Sequence, residues 1–253
     1  MRFIRFVLLL TALPVVAPAV SVHYIDPFGS TATSCSSATC DVIGDKLWFD
    51  LDSFAMSVDQ VSLNGVITIS LNFGPDATLA PFLDFGIRLD PADVIFAKNG
   101  VARYGIALTS HNGVAAGSLY AINTSAGVLT AGEVLNLGSG YTYRPDAPVW
   151  LNNDGSGSVS SLTSGNVSST IAGDGVTTGR MLVTITFLAT PDFFNELNGA
   201  SFSAQFASAT CGNDVMSLMF GTPDVANPEP GTVGLAALGF VLLFTKGYRS
   251  RRR

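Results

Sequence analysis

The strictest constraint on this chain is a period of two. In residues 66–73, Ile67, Ile69, Leu71 and Phe73 alternate with Thr68, Ser70 and Asn72. A strand with that pattern has one apolar face and one wet face. The device returns in residues 180–189, where Met181, Val183, Ile185 and Phe187 oppose Leu182, Thr184 and Thr186, and in residues 200–207 with Phe202, Ala204 and Phe206. Residues 82–89, 101–109, 118–122 and 214–220 are further strand candidates with apolar residues on both faces, as strands in the middle of a layered fold require.

Helix signals are sparse. One short helix is expected after Thr190 as cap, with Pro191 at its first position, Asp192 and Glu196 in its turns and Gly199 closing it. Turns are marked by Asn64-Gly65, Gly74-Pro75, Asn99-Gly100, Asn112-Gly113 and Asp174-Gly175. Their spacing suits antiparallel strands, since parallel neighbours would need crossover helices. The expectation is therefore an all-β antiparallel sandwich of jelly-roll or Greek-key type with one short helix. No repeat of 20 to 50 residues emerges, which disfavours a propeller or solenoid. The Gly/Ser/Thr/Asn-rich stretch 152–178 reads as an exposed loop region or hairpin.

The two ends carry a different grammar. Arg2 and Arg5 precede an apolar stretch, residues 6–13, and the small-residue site Ala17-Pro18-Ala19. This is the pattern of a secretory signal peptide, residues 1–19, cleaved after Ala19 or near Ser21. At the other end Pro228-Glu229-Pro230 is followed by an apolar run, 231–245, and then by Lys246, Arg249, Arg251, Arg252 and Arg253. As a helix, roughly fifteen residues reach about 22 Å, short of a hydrocarbon core of about 30 Å. Snorkelling of the basic residues and local thinning make up the difference, so this transmembrane helix holds weakly. The arginines keep the tail cytoplasmic and leave the body on the far side.

Signal peptide, Pro-Glu-Pro, short apolar helix and arginine cluster together resemble the PEP-CTERM family, with the match confined to residues 227–253 and the signal peptide. The resemblance implies sorting by an exosortase, a membrane-embedded, transpeptidase-like cysteine enzyme of Gram-negative bacteria that make exopolysaccharide. The implied itinerary runs through the inner membrane, with transient anchorage there, to the cell surface or extracellular matrix. An ordinary single-span anchor is the alternative. Residues 20–221 would form one extracytoplasmic domain and 222–227 a proline-punctuated linker.

Charge narrows the partners. Seven of the 13 basic residues lie in the two targeting ends, and Glu229 in the sorting motif, so the body sets six basic residues against eighteen acidic ones, a net of −12. Nucleic acid and anionic headgroups are repelled by such a body.

Catalytic and metal patterns are thin. Only His23, expected to be mobile beside the cleavage site, and His111, in a turn where histidines are commonly solvated, could act as bases, and no Gly-x-Ser-x-Gly elbow accompanies them. No His-Glu-x-x-His or paired Cys-x-x-Cys pattern suggests zinc. Glu133 and Glu196 are the body's two glutamates. Asp50 and Asp52, expected to alternate on one strand, read as a solvated edge rather than a glycosidase dyad. Calcium is weakly suggested by the oxygen-rich run 152–158, which departs from the EF-hand form because position 163 is Thr. No cofactor is expected.

Cys35, Cys40 and Cys211 are candidates for one disulfide, either the short Cys35–Cys40 loop or a Cys40–Cys211 bridge. Tyr141, Tyr143, Arg144 and Trp150 are candidate glycan contacts, with the two tyrosines projecting from one strand face; core packing is the competing explanation. The expected function is that of a non-enzymatic exported surface or matrix protein associated with exopolysaccharide or biofilm. A lectin-like carbohydrate-binding module is the alternative.

Overall fold

Alternation becomes antiparallel sheet. In a computed structural model, the structure describes residues 19–25, 42, 46–73, 78–84, 86–137, 141–171, 180–199 and 201–220. The elements run β1 (Ala19–Ile25), α1 (Lys46–Phe49), β2 (Leu51–Asp59), β3 (Asn64–Asn72), β4 (Phe82–Asp84), β5 (Ile87–Leu89), β6 (Val94–Lys98), β7 (Val101–Ile106), β8 (Leu119–Ile122), β9 (Val128–Thr130), α2 (Ala131–Leu135), β10 (Pro148–Leu151), β11 (Val159–Thr163), β12 (Gly165–Ile171), β13 (Arg180–Leu188), α3 (Pro191–Leu197), β14 (Phe202–Ala207) and β15 (Val215–Phe220). A five-stranded sheet has the order β1-β2-β3-β13-β12 and a six-stranded sheet the order β11-β8-β7-β6-β14-β15. Every strand pairing among the described residues is antiparallel.

The period-two rows register with one another. Ile67 lies opposite Ile185 and Met56, and Ile69 opposite Val183 and Phe54, so the apolar residues of three strands share one face. That face belongs to the same buried cluster as Val94 and Phe96 of β6, Phe202 and Phe206 of β14, and Phe193 and Leu197 of α3. α3 starts as expected: the Thr190 hydroxyl accepts from the Phe193 N–H at 3.2 Å and Pro191 stands at the first turn. Its end is closed by the Gly199 N–H, which donates to Glu196 O at 2.9 Å.

Strands β6 to β8 are apolar on both sides because the six-stranded sheet is covered twice. On its second face, Ile95, Tyr120 and Ile122 pack with Leu151 of the β9–β10 ribbon, and Ala92 and Ala207 with Val149 and Ala131. Contact there is close enough that a Cβ on Gly105 would lie 2.6 Å from a Leu151 methyl.

Four expectations change. Residues 82–89 form a small hairpin, β4–β5, around Gly86 with φ of +81°, instead of one strand. In the described part of the 152–178 stretch, residues 152–171, the two strands do not pair with each other: β11 pairs with β8 of one sheet and β12 with β13 of the other, with Ser164 alone between them. His23, expected to be mobile, sits in β1 opposite Ala55. The segment around Asp50 and Asp52 begins as the helical turn α1, and the β2–β3 register shifts between Leu51 and Ser53.

Candidate functional site

Two ionisable groups with shifted titration meet at Asp93. Its backbone N–H donates to Val149 O at 2.8 Å, which fixes the residue just before β6. Its carboxylate is fully buried; Oδ1 accepts from the Leu108 N–H at 3.1 Å and Oδ2 from the Leu151 N–H at 2.8 Å. His111 Nε2 stands 3.1 Å from the same Oδ2. On the other side of the ring, Nδ1 lies 2.9 Å from Thr109 O. A carbonyl can only accept, so Nδ1 carries a hydrogen, and Nε2 faces the Asp93 carboxyl in a close contact that lacks hydrogen-bond alignment.

A two-residue turn delivers the histidine. His111 and Val114 exchange backbone hydrogen bonds of 3.2 and 2.7 Å around Asn112 and Gly113, whose φ values of +42° and +73° are those an Asn-Gly hairpin turn adopts. Asn153 clamps the turn, its N–H on Asn112 O at 3.0 Å and its side-chain amide on Gly113 O at 3.2 Å. The Trp150 ring then lies almost parallel to His111, centroids 4.4 Å apart and planes at 21°, while its Nε1–H donates to Pro91 O at 3.1 Å. An indole face suits a cation.

The titration follows from this packing. Burial, the largest influence on His111, opposes its charge, but the hydrogen bond and charge of Asp93, the Thr109 carbonyl and the nearby Asp90 outweigh it and hold the imidazole pKa above its ordinary value. Burial pushes the Asp93 carboxyl up, opposed by His111 and by the Leu151 and Leu108 N–H groups. The site can hold a proton between a ring and a carboxylate. Nδ1 is bonded to Thr109 O and Nε2 faces Asp93, so neither ring nitrogen is turned to a serine hydroxyl among the described residues. His111 is therefore a bonded, nearly buried residue and not a solvated turn histidine. Asp93 carried no motif; the one sequence sign was an acid set directly before the apolar run Val94-Ile95-Phe96.

The expected glycan contacts do not share a strand face. Residues 141–147 precede β10 as irregular chain. Tyr141 is 46% exposed, whereas Tyr143 packs against the core. Arg144 donates from Nη1 to Gly212 O at 2.8 Å and Asn213 O at 2.5 Å, which ties this segment to the turn before β15. Trp150 has one face under His111. Of the four, Tyr141 alone presents an open ring.

The carboxylates weighed as catalysts sit in different surroundings. Asp50 is buried, and Asp52 pairs with Arg180 at 3.3 Å. Glu133 Oε2 accepts from the Thr130 N–H at 2.8 Å and the Glu133 N–H reaches Thr130 Oγ1 at 3.4 Å, a capping box for α2. Glu196 Oε1 lies 3.7 Å from Lys98 and 3.9 Å from Arg103. In the oxygen-rich loop, Asp154 Oδ1 accepts from the Ser156 N–H at 2.9 Å, and Ser158 Oγ donates to Asn152 O at 2.6 Å. These are local turn bonds, and no cluster of three or more acidic, His or Cys side chains among the described residues could hold a metal ion.

Cys211 is buried beside Gly212. Cys35 and Cys40 lie outside the described residues, as do the signal peptide up to residue 18, Pro228, Glu229, Pro230, the apolar run and the basic end. Among the described residues no helix is long and apolar enough to cross a membrane. Comparison with protein-family models, curated proteins and solved structures gives no match to this chain.

Proposed function

We propose that this chain is an exported, non-enzymatic surface or matrix protein, delivered by exosortase-type sorting and acting outside the inner membrane through an acidic β-sandwich of jelly-roll or Greek-key kind. The observation that carries the reading is the order Pro228-Glu229-Pro230, short apolar run, and Lys246 to Arg253 behind a body with a net charge of −12. Three further features support it. Cleavage after Ala19 leaves Val20 to Ile25 paired with β2, while a cut after Ser21 would remove three of the seven pairs of β1. The sandwich reading draws on the single buried cluster shared by the two larger sheets. His111, the ring best placed to serve as a base, has Nδ1 bonded to Thr109 O and Nε2 turned to the buried Asp93, which favours a structural part for it.

Terminal-peptide mass spectrometry of surface-extracted protein tests the reading. The expected result is a new N-terminus at Val20 and a C-terminus upstream of the apolar run. Intact ends at Met1 and Arg253 in a host with an active exosortase would overturn it.

A further inference from the structure

Open sheet edges normally carry a defence against strand addition: a lysine, an inward charge, a proline or a bulge. Among the described residues the edges are β1 and β12 of one sheet and β11 and β15 of the other. Their sequences, AVSVHYI, GNVSSTI, VSSLT and VMSLMF, contain no Asp, Glu, Lys, Arg or Pro, although the body holds 24 such charges. The charges have been kept away from all four edges.

β12 is the most open of them. It pairs with β13 over seven consecutive positions without a register shift, so no bulge twists it aside, and six of its seven residues are exposed. Ile171, at 66% exposure, is a large apolar side chain left in water at this edge.

We propose that β12 is a strand-addition surface whose partner is β12 of a second copy of this chain. Antiparallel pairing centred on Ser168 uses all seven positions and sets Gly165 opposite Ile171, Asn166 opposite Thr170, and Val167 opposite Ser169. Residues of the same parity then meet, so the side of the strand that carries Val167, opposite buried Ile185, continues across the junction, and the other side meets amide to hydroxyl. Ile171 of one copy packs diagonally against Val167 of the other, because the Cβ side of Gly165 is already covered by the Gly117 carbonyl. Charge leaves this approach open: two acidic bodies repel elsewhere, but this register brings no charged side chain of β12 against another. A closed pair of this kind is isologous, each copy giving and receiving the same contact.

The test uses the full-length chain in mild detergent, with dimers read on non-reducing gels after gentle oxidation. Ser168→Cys places the two sulfurs opposite each other at the centre, within disulfide reach. In Thr170→Cys the equivalent Cα atoms of the two copies are four residues out of register, about 14 Å apart, beyond that reach. Ser168→Cys should give roughly tenfold more disulfide dimer than Thr170→Cys or the unsubstituted chain, and a mixture of Asn166→Cys with Thr170→Cys should restore it. Equal yields from Ser168→Cys and Thr170→Cys, or no dimer from any of them, would overturn the proposal. Sedimentation provides a second reading: the unsubstituted chain should run as a dimer and Ser168→Lys as a monomer, whereas dimers that survive Ser168→Lys would also overturn it.

Discussion

Two regions meet at β6 and are built on opposite principles. On one side, Phe96 enters an aromatic cluster in which Phe193 makes edge contacts with Phe96, Tyr104, Phe187 and Phe202 at centroid distances of 5.1 to 6.0 Å. Three residues earlier, Asp93 holds a single histidine and two backbone N–H groups. The aromatic cluster is redundant, because each ring has several neighbours and losing part of one is shared among the rest. The polar node has no spare parts: each donor there has one acceptor, and removal of that acceptor leaves buried charge uncompensated.

Asp93→Ala should therefore be the more damaging change, costing about 3–5 kcal/mol because it leaves two buried N–H groups without their acceptor and removes the carboxyl that faces His111. Phe193→Leu, which keeps most of the apolar volume, should cost under about 1.5 kcal/mol. Urea denaturation of both variants checks the contrast, and equal losses would break it.

The pH dependence sharpens it. The folded pKa of His111 is raised, so its contribution is fully present below the ordinary value of 6.5 and is lost as pH rises through the elevated one. Asp93, raised above 3.8, has the same sign, since the folded state there also binds the extra proton. The melting temperature should fall as pH is raised above 6.5, and His111→Gln should flatten that slope. A slope unchanged by the substitution would show that the proton is held elsewhere.

A comparably small effect is expected at the turn that presents the histidine. Gly113→Ala forces a side chain onto a φ of +73° with its Cβ 2.8 Å from Asn153 O, at a cost of about 1–2 kcal/mol. Thermal melting measures it, and a neutral result would mean that the turn shifts without disturbing the ring.

The parts that were legible in the sequence were those where burial leaves a local rhythm. β3, β13 and β14 alternate because each has one face in the core, and the Thr190-Pro191 start of α3 is written in adjacent residues. β11 and β12 were hidden because exposed edge strands of Ser, Thr and Asn need no apolar row and so look like loop. α2 could have been found: Thr130 and Glu133 stand at capping-box spacing. The polar node could not, because Asp93, His111 and Trp150 are joined by tertiary contact across 18 and 39 positions of chain and share no periodicity. The misplaced tyrosine pair has the same origin, since the alternation of Tyr141 and Tyr143 implies a strand that the chain does not form before Pro148.

The single-residue passage at Ser164 makes this body far more sensitive to length than to chemistry at that spot. Its hydroxyl is exposed and replaceable, but the count of one between Thr163 and Gly165 sets which side chains of the next strand point toward Ile185 and Val183. Adding or deleting a residue there would reverse that phase and turn Ser168 and Thr170 inward in place of Val167. Natural drift at this joint should therefore accept nearly any substitution and almost no insertion.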